Sequence, residues 1–145
     1  MKSMKLVVIL LCELLALNSA WADSLYTLVV EVRGAENTDG QFLLSLFDSE
    51  EAFLDEPFYT SVVAIDNNGQ GNFQVNELQA GIYAASVVHD EDGDGELDTR
   101  LFGIPKEKVG VSNNPRPRFG PPGFEDAAFE LNEDMRLEIR LSDAE

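Results

Sequence analysis

The residues with the clearest chemistry form a short acidic run in which every second side chain is a carboxylate. Their spacing matches positions 1, 3, 5, 7 and 9 of a calcium-binding loop, and Gly95 stands at position 6, where such loops bend sharply. Calcium prefers about six to eight hard oxygen ligands, which carboxylates clustered on a bent backbone can supply. Ca²⁺ is therefore the expected cofactor. The expected metal ligands are Asp90, Asp92, Asp94, Glu96 (through its backbone carbonyl) and Asp98.

This run departs from an EF-hand in two respects. Position 12, where an EF-hand places a bidentate glutamate, is Leu101, and the run follows a strand-like pattern instead of a helix. A carboxylate from elsewhere in the chain would therefore have to complete the coordination shell. The alternative interpretation is an acidic turn that closes a hairpin and binds no metal.

A basic, proline-rich segment follows the acidic run. Five of the six prolines lie between Pro105 and Pro122, and so many missing N–H donors exclude a central strand, so we expect a long loop. No lysine or arginine occurs from Gly34 to Thr99, against fifteen acidic residues. Either the segment folds back so that its arginines pair with carboxylates, or it binds an anionic ligand or partner. Its basic residues are Arg100, Lys106, Lys108, Arg116 and Arg118.

Residues suited to catalysis are few. His89 is the only histidine, and the sequence contains no nucleophile motif or zinc-ligand cluster. His89 alternates with Tyr83, Ala85 and Val87, so we expect it to face away from Asp90 and to serve as a structural residue. The leading hypothesis is a non-enzymatic module that binds a protein or glycan partner. The alternatives are a metal-free module that binds an anion through residues 100–118 and a small hydrolase that uses His89.

The elements that must position these residues are predominantly strands. Apolar residues recur with a period of two, which is typical of strands with one buried face, and Gly, Asn and Asp turns separate them. The fold expected is all-β, a single antiparallel sandwich of about seven strands. Asp39-Gly40 and Asn67-Asn68-Gly69 predict hairpins, and residues 49–54 predict one short helix. The expected strands are 27–33, 41–47, 60–65, 71–75, 82–89, 127–131 and 135–141.

The first 22 residues predict a secretory signal peptide. Lys2 and Lys5 precede an apolar stretch too short to span a bilayer, and Ala20-Trp21-Ala22 fits a cleavage site. The remaining single domain, 23–145, has 8 basic and 26 acidic side chains, a net charge of −18, and no cysteine. This charge argues against nucleic acid as a partner. We expect an exported protein, periplasmic or secreted, monomeric and without a membrane span.

Several runs in the second half of the chain are similar to the DUF2141 family of uncharacterised exported bacterial proteins. The resemblance implies a signal peptide followed by one sandwich of the transthyretin or immunoglobulin-like kind, and no assigned activity. Where the family pattern tends to have asparagine, this chain has Asp92 and Asp94, which favours cation binding. The runs are Gly81–Ala84, His89–Thr99, Phe102–Glu107, Gly110–Asn114, Arg118–Pro122 and Phe124–Phe129.

Overall fold

The computed structural model describes residues 24–96, 106–116 and 120–143. The predicted signal peptide, Asp98, Arg100, Leu101 and Arg118 lie outside these ranges. Within them the chain forms strands and one short helix. In chain order these are β1 (Leu25–Arg33), β2 (Gln41–Phe47), β3 (Tyr59–Ala64), β4 (Gln70–Gln79), β5 (Gly81–Asp90), β6 (Val109–Val111), α1 (Phe124–Ala127), β7 (Phe129–Leu131) and β8 (Met135–Arg140).

The strands form two sheets that pack face to face, which confirms the all-β sandwich. One sheet has the order β4-β1-β8, and the other has the order β3-β2-β5-β6, with β7 paired to the beginning of β5. All pairs are antiparallel except β1 and β8, which run parallel. A bridge between Val109 and Ser142 connects the two sheets on one side.

The core lies between the sheets and is filled by every second residue of each long strand. The inward positions are aliphatic or aromatic, so removal of these side chains from water is the main favourable contribution to folding. This agrees with the period of two in the sequence. The buried set includes Leu28, Val30, Val32, Phe42, Leu44, Leu46, Phe73, Val75, Tyr83, Ala85, Val87 and Ile139.

The prediction of two hairpins is wrong, because neither turn joins two paired strands of one sheet. β1 and β2 lie in different sheets, and so do β3 and β4, so both turns carry the chain across the sandwich. The turn before β4 is nevertheless tight, since the Asp66 carboxylate accepts the N–H groups of Asn68 and Gln70. Gly40 has a φ of 70°, and a Cβ atom there would stand 2.0 Å from the Asp90 carbonyl oxygen. Turn residues predict a reversal of the chain, but not the sheet that the next strand joins.

Residues 49–54 form consecutive turns instead of the helix predicted there. Leu54 has a φ of 63°, which ends any helical path, and the Phe53 ring packs against Phe47 and Phe124. The short helix of the described residues is α1. β6 lies within the segment expected to be a loop, at the edge of its sheet. No helix in the described ranges has the length and apolar character that crossing a membrane requires.

Candidate metal centre

Asp90, the last residue of β5, is fully buried and organises the acidic loop that follows. Its Oδ1 accepts the Gly93 N–H at 2.9 Å, and its Oδ2 accepts the Gly95 N–H at 2.9 Å. Both glycines have positive φ, so their N–H groups can turn back toward the strand end. The Gln41 side chain, on the neighbouring strand, donates to Oδ2 at 2.8 Å. The loop is therefore wrapped around this one carboxylate.

The charge of Asp90 is stabilised despite its burial. Burial alone would raise the pKa of its carboxyl, but the hydrogen bonds from Gln41, Gly95 and Gly93 outweigh that effect and lower the pKa below its ordinary value. The Asp90 carboxyl is therefore ionised at neutral pH and could act as a ligand without losing a proton.

The next carboxylates in the loop fold the backbone locally. Asp92 Oδ1 accepts the Asp94 N–H at 3.2 Å, and Asp94 Oδ1 accepts the Glu96 N–H at 2.8 Å. These are the side chain to backbone bonds of Asx turns, which explains why aspartate recurs at every second position. The side chains of Asp92, Asp94 and Glu96 are otherwise exposed.

Three carboxylates converge beside this loop. Oxygen atoms of Asp90, Asp92 and Glu107 all lie within 4.8 Å of one another. Glu107 comes from the segment before β6, is only 9% exposed, and accepts the Glu91 N–H on its Oε1 at 3.0 Å. Three acceptor-only groups at this separation repel one another and can all serve as ligands of one divalent cation. Glu107 is thus a carboxylate from another segment of the chain that lies beside the acidic loop.

The structure brings together two of the five predicted ligands, Asp90 and Asp92. Asp94 and Glu96 lie in the same loop but outside the group of three, and Asp98 is outside the described residues. Two residues of this site, Glu107 and the Asp90 donor Gln41, were not expected from the sequence. The available signal for Glu107 was its position as the one acidic residue among five basic ones.

His89 faces the core on the side opposite Asp90, as predicted. It is fully buried, its ring meets the Phe42 ring edge-on at 5.8 Å, and its Nε2 donates to the Asp39 carbonyl at 2.9 Å. Its Nδ1 makes no hydrogen bond and lies 4.0 Å from a Glu91 carboxylate oxygen. His89 therefore ties the β1–β2 connection to the end of β5, beside the acidic loop.

The basic segment does fold back onto the domain, because β6 pairs with β5 and Glu107 reaches the loop. Arg116 is exposed. The arginine–glutamate pairs of the described residues lie instead on the other sheet. There Arg33 contacts Glu138 at 3.0 Å, Arg140 contacts Glu138 at 2.7 Å, and Arg136 pairs with Glu31.

These features define an all-β sandwich protein with an acidic loop at the end of a central strand. The chain matches, over residues 30–139, the family described as an uncharacterized protein conserved in bacteria (DUF2141). It belongs to this family. Comparison with curated proteins gave no match, and comparison with solved structures gave none either.

Proposed function

We propose that this domain is an exported, non-enzymatic binding module stabilised by a calcium ion held by Asp90, Asp92 and Glu107. The observation that carries the proposal is the convergence of three carboxylates within 4.8 Å, of which Asp90 is fully buried and Glu107 is 9% exposed. Asp90 and Glu107 come from separate segments, so a shared ion would fasten the segment before β6 to the loop after β5. Asp94 and Glu96, which lie in the same loop, and Asp98, by its spacing in the sequence, are candidate additional ligands.

The chemistry of the donors favours calcium over other cations. The group contains only carboxylate oxygens, without a histidine or cysteine that zinc or copper would prefer. A glycine-bent loop offers ligands at adjustable distances, which suits calcium better than the small and strictly octahedral magnesium ion. Calcium sites of extracellular modules commonly have Kd values of about 10⁻⁴–10⁻³ M, and we expect an affinity in this range.

The non-enzymatic part of the proposal is supported by the state of His89. Its side chain has no exposed surface, and its Nε2 is occupied by the Asp39 carbonyl. A hydrolase that used this imidazole as a base would first have to uncover it. The export part is supported by the signal-like residues 1–22, and the resulting location is the periplasm or the exterior. The ion would hold the exposed surface beside the loop in one shape for a protein or glycan partner.

The proposal is tested by thermal unfolding of residues 23–145 in EDTA, in Ca²⁺ and in Mg²⁺. A ligand at about 100 times its Kd adds about 2.7 kcal/mol of stability, which shifts the melting temperature of a domain of this size by several degrees. We expect a shift with Ca²⁺ that Asp92→Asn and Glu107→Gln abolish. Asp55→Asn, at an exposed aspartate between β2 and β3, is the matched control and keeps the shift. No shift, or an equal one with Mg²⁺, contradicts the proposal.

A further inference from the structure

β3 forms one edge of the second sheet, and within the described ranges no strand pairs with its outer side. Its sequence, Tyr59–Ala64, has neither a charged residue nor a proline. Every second side chain is exposed, and Val62, in the middle, is 52% exposed. Such an edge offers unpaired N–H and C=O groups to any extended chain that approaches it.

The edges formed by β4, β8 and β6 carry features that hinder pairing. β4 has a bulge where its register against β1 shifts, with Glu77 at a φ of 60°. β8 presents Arg136 and Arg140, and β6 is bridged to Ser142. Bulges, charges and covering contacts are the means by which proteins protect sheet edges from unwanted partners. β3 has none of these within its strand.

Exposed apolar side chains are concentrated in β3 and in the residues just before it, where the Phe58 ring also packs against Tyr83. Of the five large hydrophobic side chains that are exposed in the described part of the chain, three lie within nine residues, namely Leu54, Phe58 and Val62. Leu54 also has a positive φ, which is unusual for a bulky residue. Exposed apolar side chains beside a free strand edge are suited to anchor the side chains of an added strand.

The charges around β3 identify the kind of partner. Acidic residues flank the strand on both sides, and no lysine or arginine occurs anywhere from Gly34 to Thr99. A second copy of this chain would bring the same carboxylates together, so self-pairing is opposed by repulsion. A basic segment would be attracted. The flanking acidic residues are Asp48, Glu50, Glu51, Asp55, Glu56 and Asp66.

We propose that β3 is a docking edge for an extended, basic segment of another protein, which adds to the sheet as a further strand. Main-chain hydrogen bonds along Tyr59–Ala64 hold the segment, its apolar side chains contact Val62, and its lysines or arginines face the flanking carboxylates. This docking does not require the cation at Asp90, so it stands or falls separately from the calcium site.

The test uses the purified protein and a short, capped peptide of alternating lysine and valine. Fluorescence anisotropy measures its affinity, and hydrogen exchange by NMR measures protection of the amides of residues 59–64. We expect binding that weakens with salt, new protection within β3, and no binding of the same peptide with glutamate in place of lysine. A version with N-methylated backbone amides should lose at least about tenfold in affinity, since it cannot pair as a strand.

Val62→Lys should weaken binding of the basic peptide by at least about tenfold, because it places a cation at the centre of the edge. Leu25→Lys is the matched control, since Leu25 is 51% exposed and lies in the other sheet; it should leave the affinity unchanged. Three results overturn the proposal: no binding at millimolar peptide, equal binding of the N-methylated peptide, or equal binding by the Val62→Lys variant. Dimerisation in sedimentation experiments that Val62→Lys abolishes would also overturn it, because the occupant would be a second copy.

Discussion

Replacement of Asp90 by asparagine tests how the acidic loop is held. The carboxylate accepts three N–H donors, from Gln41, Gly93 and Gly95, and it is fully buried. An asparagine has one acceptor oxygen, so its NH₂ group must face one of these donors. The change therefore removes at least one bond to a charged acceptor and converts the others to weaker neutral bonds.

The expected cost follows from these bonds. A hydrogen bond to a charged group contributes about 1.5–3 kcal/mol, and a neutral one about 1 kcal/mol. One lost bond and two weakened ones, partly offset by less repulsion from Asp92 and Glu107, give about 3 kcal/mol of lost stability. In a domain of this size that lowers the melting temperature by roughly 10 °C. The measurement is urea unfolding in EDTA, which keeps metal binding out of the comparison.

The contribution of Asp90 to stability depends on pH. The pKa of Asp90 is lowered from 3.8 in the folded protein, so its contribution to stability is complete at neutral pH and is lost as the pH falls below about that value. The difference in stability between wild type and Asp90→Asn should therefore narrow in acid. The control variant Asp55→Asn should have the same stability as the wild type at each pH. A cost below about 1 kcal/mol at pH 7, or a difference independent of pH, would refute the reasoning about Asp90.

Three further predictions concern Gly40, with Gly93 as its comparison, and then Ser112 and Asp92. Gly40→Ala should cost at least about 3 kcal/mol in urea unfolding, because its Cβ would meet the Asp90 carbonyl at 2.0 Å. Gly93→Ala, with the same sign of φ but open space around it, should cost only about 1 kcal/mol. Ser112→Ala should cost about 1–3 kcal/mol in the same assay, since its buried hydroxyl accepts the Ala85 N–H and donates to the Ala127 carbonyl. Asp92→Asn should be neutral or stabilising in EDTA by calorimetry, because it lessens repulsion while its Oδ1 can still accept the Asp94 N–H.

The strands could be predicted from the sequence because burial of one face imposes a period of two. This holds for β1, β2 and β8, which closely match the expected strands 27–33, 41–47 and 135–141. The pairing could not be predicted in the same way. Asp39-Gly40 was expected to close a hairpin, but Gly40 is needed for its close approach to Asp90 as the chain crosses to the other sheet. That approach depends on a residue fifty positions away and leaves no local signal.

The same distinction applies to the candidate site, where some residues could be predicted from the sequence and others could not. Asp90 and Asp92 could be identified because loop ligands obey a local spacing. Glu107 and Gln41 could not, since β6 must first pair with β5, and β2 with β5, before these side chains reach Asp90. The helix expected at 49–54 is replaced by turns, in which the Phe53 ring packs against Phe47 and Phe124. In both cases tertiary contacts, and not local propensity, determine the structure.

Calorimetric titration of Ca²⁺ into chelator-treated protein tests whether Asp90, Asp92 and Glu107 bind a calcium ion. The titration compares the wild type with Glu107→Gln. Glutamine retains an oxygen that can accept the Glu91 N–H, so this variant removes a charged ligand and keeps the contact that holds the segment. We expect one ion bound per chain and an affinity at least about tenfold lower in the variant. Absence of binding to the wild type, or equal affinity in the variant, would contradict it.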